Sequence, residues 1–166
     1  MALTGFIWRP FNDARDALAN STAFRTWCDA DNADEAKLLN IVLFEERAEP
    51  SAQPDALYRR TKFAVIMPPD GALFNLTKVT PATGLSGYDW SRSLVINFVE
   101  EVQEFSEDAM TAFFVSLGSV IESLLDDSTL KMAMRVTTEA LAKSTLKWEG
   151  EGHRGYQVST VWEFST

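Results

Sequence analysis

At 166 residues and a formal net charge of −9, the chain has the length of one domain. Its 46% hydrophobic and 23% charged content excludes disorder as a class, and the acidic balance argues against a general nucleic-acid binder, which presents a basic face. No run of 18 apolar residues is present for a membrane span, the first residues lack the basic region and apolar run of a signal peptide, and a single cysteine, Cys28, excludes an internal disulfide.

In chain order, residues 1–10 hold Phe6, Ile7 and Trp8 ahead of Pro10 and read as an N-terminal arm or edge segment. Residues 11–20 read as a helix, with Phe11, Ala14, Ala17 and Leu18 on one face. Ser21 interrupts it and is placed to cap a second short helix, in which Phe24, Trp27 and Cys28 follow at helical spacing. Cys28 is expected to be a small buried hydrophobe. Asp29 to Asp34 is turn-like, and Leu38 to Glu45 reads as the first strand. Residues 47–56, with Pro50, Ser51 and Pro54, form a projecting loop of unusual length. Leu57 to Met67 is a second strand, Pro68-Pro69-Asp70-Gly71 a turn, and Leu73 to Val79 a third strand with clean alternation. Residues 80–87 make a second projecting loop.

The organising stretch follows. Leu94 to Val99 is β-branched and aromatic, as a half-buried strand requires. Ser106 offers an N-cap oxygen, and Glu107 and Asp108 place negative charge in the first turn, where the helix dipole favours it. Met110, Phe113, Phe114, Leu117, Val120, Ile121, Leu124 and Leu125 then recur at three- and four-residue steps, one apolar stripe on a long helix. Lys131 to Leu141 reads as a strand and residues 142–155 as a hairpin linker. Tyr156, Val158, Thr160, Trp162 and Phe164 close the chain as a period-two strand with a heavy aromatic face. The whole, 1–166, is predicted to be a single α+β domain. Its sheet is mostly antiparallel, with one long helix and a short N-terminal helical segment packed on it.

Chemistry is sparse. The lone cysteine and the lone histidine, His153, leave no metal-ligand spacing, and no serine stands in a nucleophile elbow. Gly150-Glu151-Gly152-His153-Arg154-Gly155 matches G-x-G-x-x-G literally, but a strand pattern follows where a dinucleotide site needs a helix, so it reads as a hairpin loop. Glu100, Glu101 and Glu104 resemble paired carboxylates, yet neighbours on a strand point to opposite faces. Arg59 and Arg60 suit phosphate, but two arginines at a strand start more often form rim salt bridges. The expectation is a protein without catalytic residues, cofactor or metal.

Charge is unevenly placed. Seven acids lie between Asp29 and Glu49, and eight between Glu100 and Asp127, a span without Lys or Arg. Positive charge gathers at Arg59, Arg60 and Lys62, and again from Lys131 to Arg154. Surfaces separated in this way suit a head-to-tail contact between copies.

The layout resembles the tail terminator, or tail completion, proteins of long-tailed bacteriophages. The likeness rests on Ser21-Thr22-Ala23-Phe24-Arg25-Thr26-Trp27 in the N-terminal helical region and the early strand from Ile41 to Glu45. A Pro-containing loop, the strand Lys62-Phe63-Ala64-Val65-Ile66, an apolar strand before one long helix, and alternating strands ending near Trp162 complete it. The resemblance implies a virion protein assembled in the host cytoplasm. It would form a homohexameric ring that caps the tail tube and meets the head-side neck connector. It implies no enzyme activity, no cofactor and no membrane, and passage of DNA without specific binding. On that reading Glu45, Glu46, Glu49, Glu100, Glu101 and Glu104 are candidates for the lumen or ring interface. The acidic 97–127 region and Arg59, Arg60 and Lys62 are candidates for its two complementary surfaces. Another neck or head–tail completion protein is the nearest alternative. A non-viral binding or adaptor domain would instead show a pocket lined by Tyr156, Trp162 and Phe164. An enzyme would bring together some of Asp89, Glu100, Glu104 and His153.

Overall fold

Four helices and seven strands make up the computed structural model, which describes residues 3–43, 61–68, 74–79, 87–126, 135–138, 142–145 and 154–165. The chain runs α1 (Leu3–Asn20), α2 (Thr22–Cys28), α3 (Ala33–Leu39), β1 (Ile41–Leu43), β2 (Lys62–Met67), β3 (Phe74–Val79) and β4 (Gly87–Val102). It continues through α4 (Glu107–Asp126), β5 (Arg135–Thr138), β6 (Ala142–Thr145) and β7 (Arg154–Ser165). This is the expected α+β class. One sheet holds the strands in the order β1-β2-β4-β7-β5, and each pairing is antiparallel except the parallel β1–β2 pair.

Strand β4 is the spine of the sheet. Its 16 residues pair along one edge with β7, from Ser91↔Ser165 to Val102↔Arg154. Along the other edge they pair first with β3, over 87–92, and then with β2, over 95–100. Strands β2 and β3 both run antiparallel to β4 on the same edge, so they lie in line and do not pair with each other. The turn expected at 68–71 therefore does not close a β2–β3 hairpin. Strands β5 and β6 repeat the arrangement on the outer edge of β7, with Thr138↔Thr160 and Ala142↔Gln157 one residue out of register.

Period-two alternation sorts the side chains. Ala64 and Ile66 of β2, Leu94, Ile96 and Phe98 of β4, and Tyr156, Val158, Trp162 and Phe164 of β7 are buried on the face that the helices cover. From the helices come Phe11, Ala14, Ala17 and Leu18 of α1, Phe24 and Trp27 of α2, and Phe113, Leu117, Val120 and Leu124 of α4. Cys28 is buried with them, as its spacing suggested. Phe63 and Val99 pack on the opposite face with half-buried Val65.

Several elements depart from the sequence reading. Residues 1–10 are not a separate arm, because α1 is one helix from Leu3 through Pro10 to Asn20. Proline has no N–H for the Phe6 carbonyl, a loss of roughly 3 kcal/mol in a helix interior. Burial of Phe11, Ala14, Ala17 and Leu18 just beyond it offsets that cost. Asp31 to Leu39 is not turn then strand. Asn32 caps α3 by accepting the Glu35 amide at 2.9 Å, and the Glu35 carboxylate reaches back to the Asp31 amide. Strand β1 keeps three residues of the stretch assigned to it, and Glu45 lies outside the described residues. The 142–155 linker is shorter than expected, since β6 occupies 142–145 and pairs with the start of β7. Arg154 and Gly155 begin β7, and residues 146–153 of that linker, residues 80–86 and all of the 47–56 loop lie outside the described residues.

Gly155 is fixed by backbone contact. A Cβ at this position would sit 2.5 Å from the Glu100 carbonyl oxygen, so β4 and β7 approach as closely as they do because residue 155 has none. The G-x-G-x-x-G run thus ends inside a strand, which no dinucleotide loop does.

Candidate functional site

Helix α4 begins where the sequence placed it. Ser106 Oγ accepts from the Ala109 amide at 3.1 Å, and Glu107 and Asp108 occupy the first turn. The buried Tyr156 hydroxyl fixes the turn before it, donating to the Ser106 carbonyl at 2.9 Å and accepting from the Ser106 amide at 3.0 Å. The other end is tied to α2 by a 2.8 Å contact between the Ser123 and Ser21 hydroxyls. Ser21 also caps α2, accepting from the Phe24 amide at 3.1 Å.

The apolar stripe of α4 is narrower than its composition suggested. Phe113, Leu117, Val120 and Leu124 are buried, and Met110 and Ile121 pack partly against the core. Phe114 and Leu125, expected to be inside, are 43% and 40% exposed, and Val115 is 67% exposed. At 100° per residue Phe114, Ile121 and Leu125 share one flank, Val115 stands on the crest, and Ala112, Ser116 and Ser119 line the opposite flank. Asp108, Glu122 and Asp126 fall near the same crest line as Val115, so the surface is acidic at both ends and uncharged between. Surface helices ordinarily turn a charged face outward. Among the described residues α4 is also the one helix long and apolar enough, with a mean hydropathy of 1.4, to span a membrane. Its inner stripe is packed against Trp27 and Tyr156, which stand 6.2 and 5.9 Å from the Phe113 ring, so the helix serves the core of the fold.

A groove of about 370 Å³ lies between α2 and α4. Thr22, Ala23, Thr26 and Trp27 form one wall, Ala112, Val115, Ser116 and Ser119 the other, and Lys62 and Glu100 close one end. The Trp27 indole N–H donates to Glu100 Oε2 at 2.8 Å. Lys62 stands opposite Glu100 in the β2–β4 register, and its ammonium lies 3.4 Å from Asp29, the left-handed residue that ends α2.

These positions reorganise the sequence-predicted site. Lys62 and Glu100, expected on two different surfaces, both line the groove. Glu100 faces the helices and holds Trp27, whereas Glu101, one residue on, turns to the other face of the sheet. Glu104 is exposed in the turn before α4. Glu45, Glu46, Glu49, Arg59 and Arg60 lie outside the described residues, as do His153 and the side chain of Asp89. The aromatic strand residues Tyr156, Trp162 and Phe164 are buried under the helices, and none of them lines the α2–α4 groove. Among the described residues no group of three His, Cys, Asp or Glu side chains is placed to hold a metal. Near Phe164 the Arg92 guanidinium lies 5.2 Å from the ring centroid. Burial lowers its pKa from the ordinary value, Asp13 opposes that shift and Arg9 adds to it.

No protein-family model matches the chain, and no curated protein matches it.

Proposed function

We propose that this chain is a structural virion protein: a ring-forming tail terminator that caps the completed tail tube of a long-tailed bacteriophage and joins it to the head-side neck connector. The observation that carries this reading is the outer surface of α4, where Phe114, Val115 and Leu125 are exposed on a helix without a single Lys or Arg. Apolar surface of this kind marks a place where another protein packs. In a ring each copy meets its neighbour through two different surfaces, and the uneven charge of this chain supplies two such surfaces.

The acidity has a further use in that setting. Six copies at −9 each carry −54 in total, and an acidic lumen repels the phosphate backbone, so passing DNA does not stick. Glu101, on the sheet face away from the helices, and Glu104, exposed in the turn before α4, are described acids that such a wall would use. Imaging of isolated tail tubes mixed with the protein tests the reading. Sixfold density added at one tube end supports it, and bare tube ends at saturating protein contradict it. The α2–α4 groove favours a second reading, a binding or adaptor domain that takes a small partner segment. On that reading the protein stays a monomer or dimer and ignores tubes.

A further inference from the structure

Resting on the groove as a place where a partner segment lies, and not on the ring, we infer that the α2–α4 groove receives one helix of a different protein, with small apolar residues on its inner face and a Lys or Arg near each end. The walls decide that the occupant is helical. Both are helices whose backbone groups are spent within them, so an extended peptide finds no ladder to join and buries amides that the walls cannot pair. A helix satisfies its own amides. The α4 wall is low, with Ala112, Ser116 and Ser119 at four- and three-residue steps, and Thr22, Ala23 and Thr26 stand across from it. Small side chains on both sides let the ridge of a third helix seat close to the other two.

Charge decides what that helix carries. Asp108 and Asp126 lie about five turns apart on α4, roughly 27 Å along one line, and bracket the groove from its rim, with Glu122 one turn before Asp126. All three carboxylates are exposed, and among the described residues none has an ion-pair partner. The helix dipole favours an acid in the first turn and disfavours one in the last, where α4 has no base beside Asp126. A base brought by the occupant offsets that acid. The bases near the groove are already held: Lys62 pairs with Asp29, and Arg25 donates to the Ala19 carbonyl and the Thr22 hydroxyl. The described helices of a second copy do not supply the occupant. In α1 Arg9 pairs with Asp13 and Arg15 with Asp16, α2 and α3 carry one base each, and α4 carries none.

The probe is an alanine-rich helical peptide of about 18 residues, or five turns, with lysines at both ends. It is titrated into the full chain at low salt and followed by the NMR signal of the Trp27 indole N–H, which lies in the groove wall on Glu100. The lysine-ended peptide moves that signal and binds at least tenfold more tightly than the same peptide with glutamates at its ends, and a central proline removes the binding. Glu122→Lys with Asp126→Lys weakens it about tenfold, and Ser119→Arg, an exposed position on the groove flank, abolishes it. A Trp27 signal that ignores the lysine-ended peptide, an equal response to both peptides, or binding that survives Ser119→Arg overturns the inference. Self-association that moves the signal without any peptide overturns it too, by making a second copy the occupant. Native mass reads the sixfold species separately, so the groove and the ring fail independently.

Discussion

The Trp27 indole N–H is 2.8 Å from Glu100 Oε2, and this one hydrogen bond joins α2 to the end of β4 at the mouth of the groove. A hydrogen bond to a charged group contributes roughly 1.5–3 kcal/mol, at the low end where the carboxylate is half-exposed as here. Trp27→Phe keeps the ring packing near Phe24, Phe98 and Phe113 and removes the donor. It is expected to lower stability by about 1–2 kcal/mol in urea unfolding, with Glu100→Gln losing less because an acceptor remains. Equal stability of Trp27→Phe and wild type would show that the bond contributes nothing.

The second prediction concerns the start of α4. Tyr156 makes two hydrogen bonds to the backbone of Ser106, 50 residues away. Tyr156→Phe keeps the ring stacked on Phe113 and loses both, at about 1 kcal/mol each. Amide exchange at Ala109, whose N–H is held by Ser106 Oγ, should quicken in the variant while exchange in β4 falls only with global stability. Unchanged protection at Ala109 would mean that the cap forms without the tyrosine.

Gly155→Ala forces a methyl group to within 2.5 Å of the Glu100 carbonyl oxygen, a backbone atom that cannot rotate away. A loss of about 1–3 kcal/mol is expected from the strand shift that follows, measured by thermal unfolding. Because Glu100 moves with that strand, the Trp27 bond should loosen too, visible as a change in tryptophan fluorescence. A fully stable Gly155→Ala chain would contradict the β4–β7 register described here.

DNA passage gives a prediction at the level of the particle. Particles carrying Glu101→Lys with Glu104→Lys present bases where the proposed lumen has acids, and their DNA ejection should slow, more so at low salt. Ejection at the wild-type rate at every salt concentration would remove these two residues from the lumen wall.

Much of the fold was legible from local signals. Ser21 and Ser106 cap the helices that their positions announced, and the alternation of Tyr156, Val158, Trp162 and Phe164 marked a strand with one aromatic face, which the structure buries. The capping box Asn32-x-x-Glu35 is an equally local signal and marks α3, in a stretch whose polar residues read as a turn. Other features were not local. Pro10 argues against a helix unless the packing of the residues beyond it is known. That β2 and β3 lie in line along β4 follows from the length of β4, which no turn residue encodes. For the site, composition marked an acidic stretch from Glu100 to Asp127 but could not show that Glu100 is held by Trp27 or that Lys62 shares its groove. The exposure of Phe114 and Leu125 was hidden for a simpler reason, since one apolar stripe of eight residues is wider than the face of the sheet that receives it.

The central claim is that the exposed face of α4 is covered in an assembled ring. Native mass over a concentration series, with and without tail tubes, tests it most directly, using wild type and Val115→Asp, a change at a 67% exposed position that leaves the core intact. A wild-type species about six times the 18.5 kDa chain mass, lost in Val115→Asp while the monomer stays folded, is the predicted result. A wild-type chain that remains monomeric at every concentration and does not change when tubes are added would contradict it.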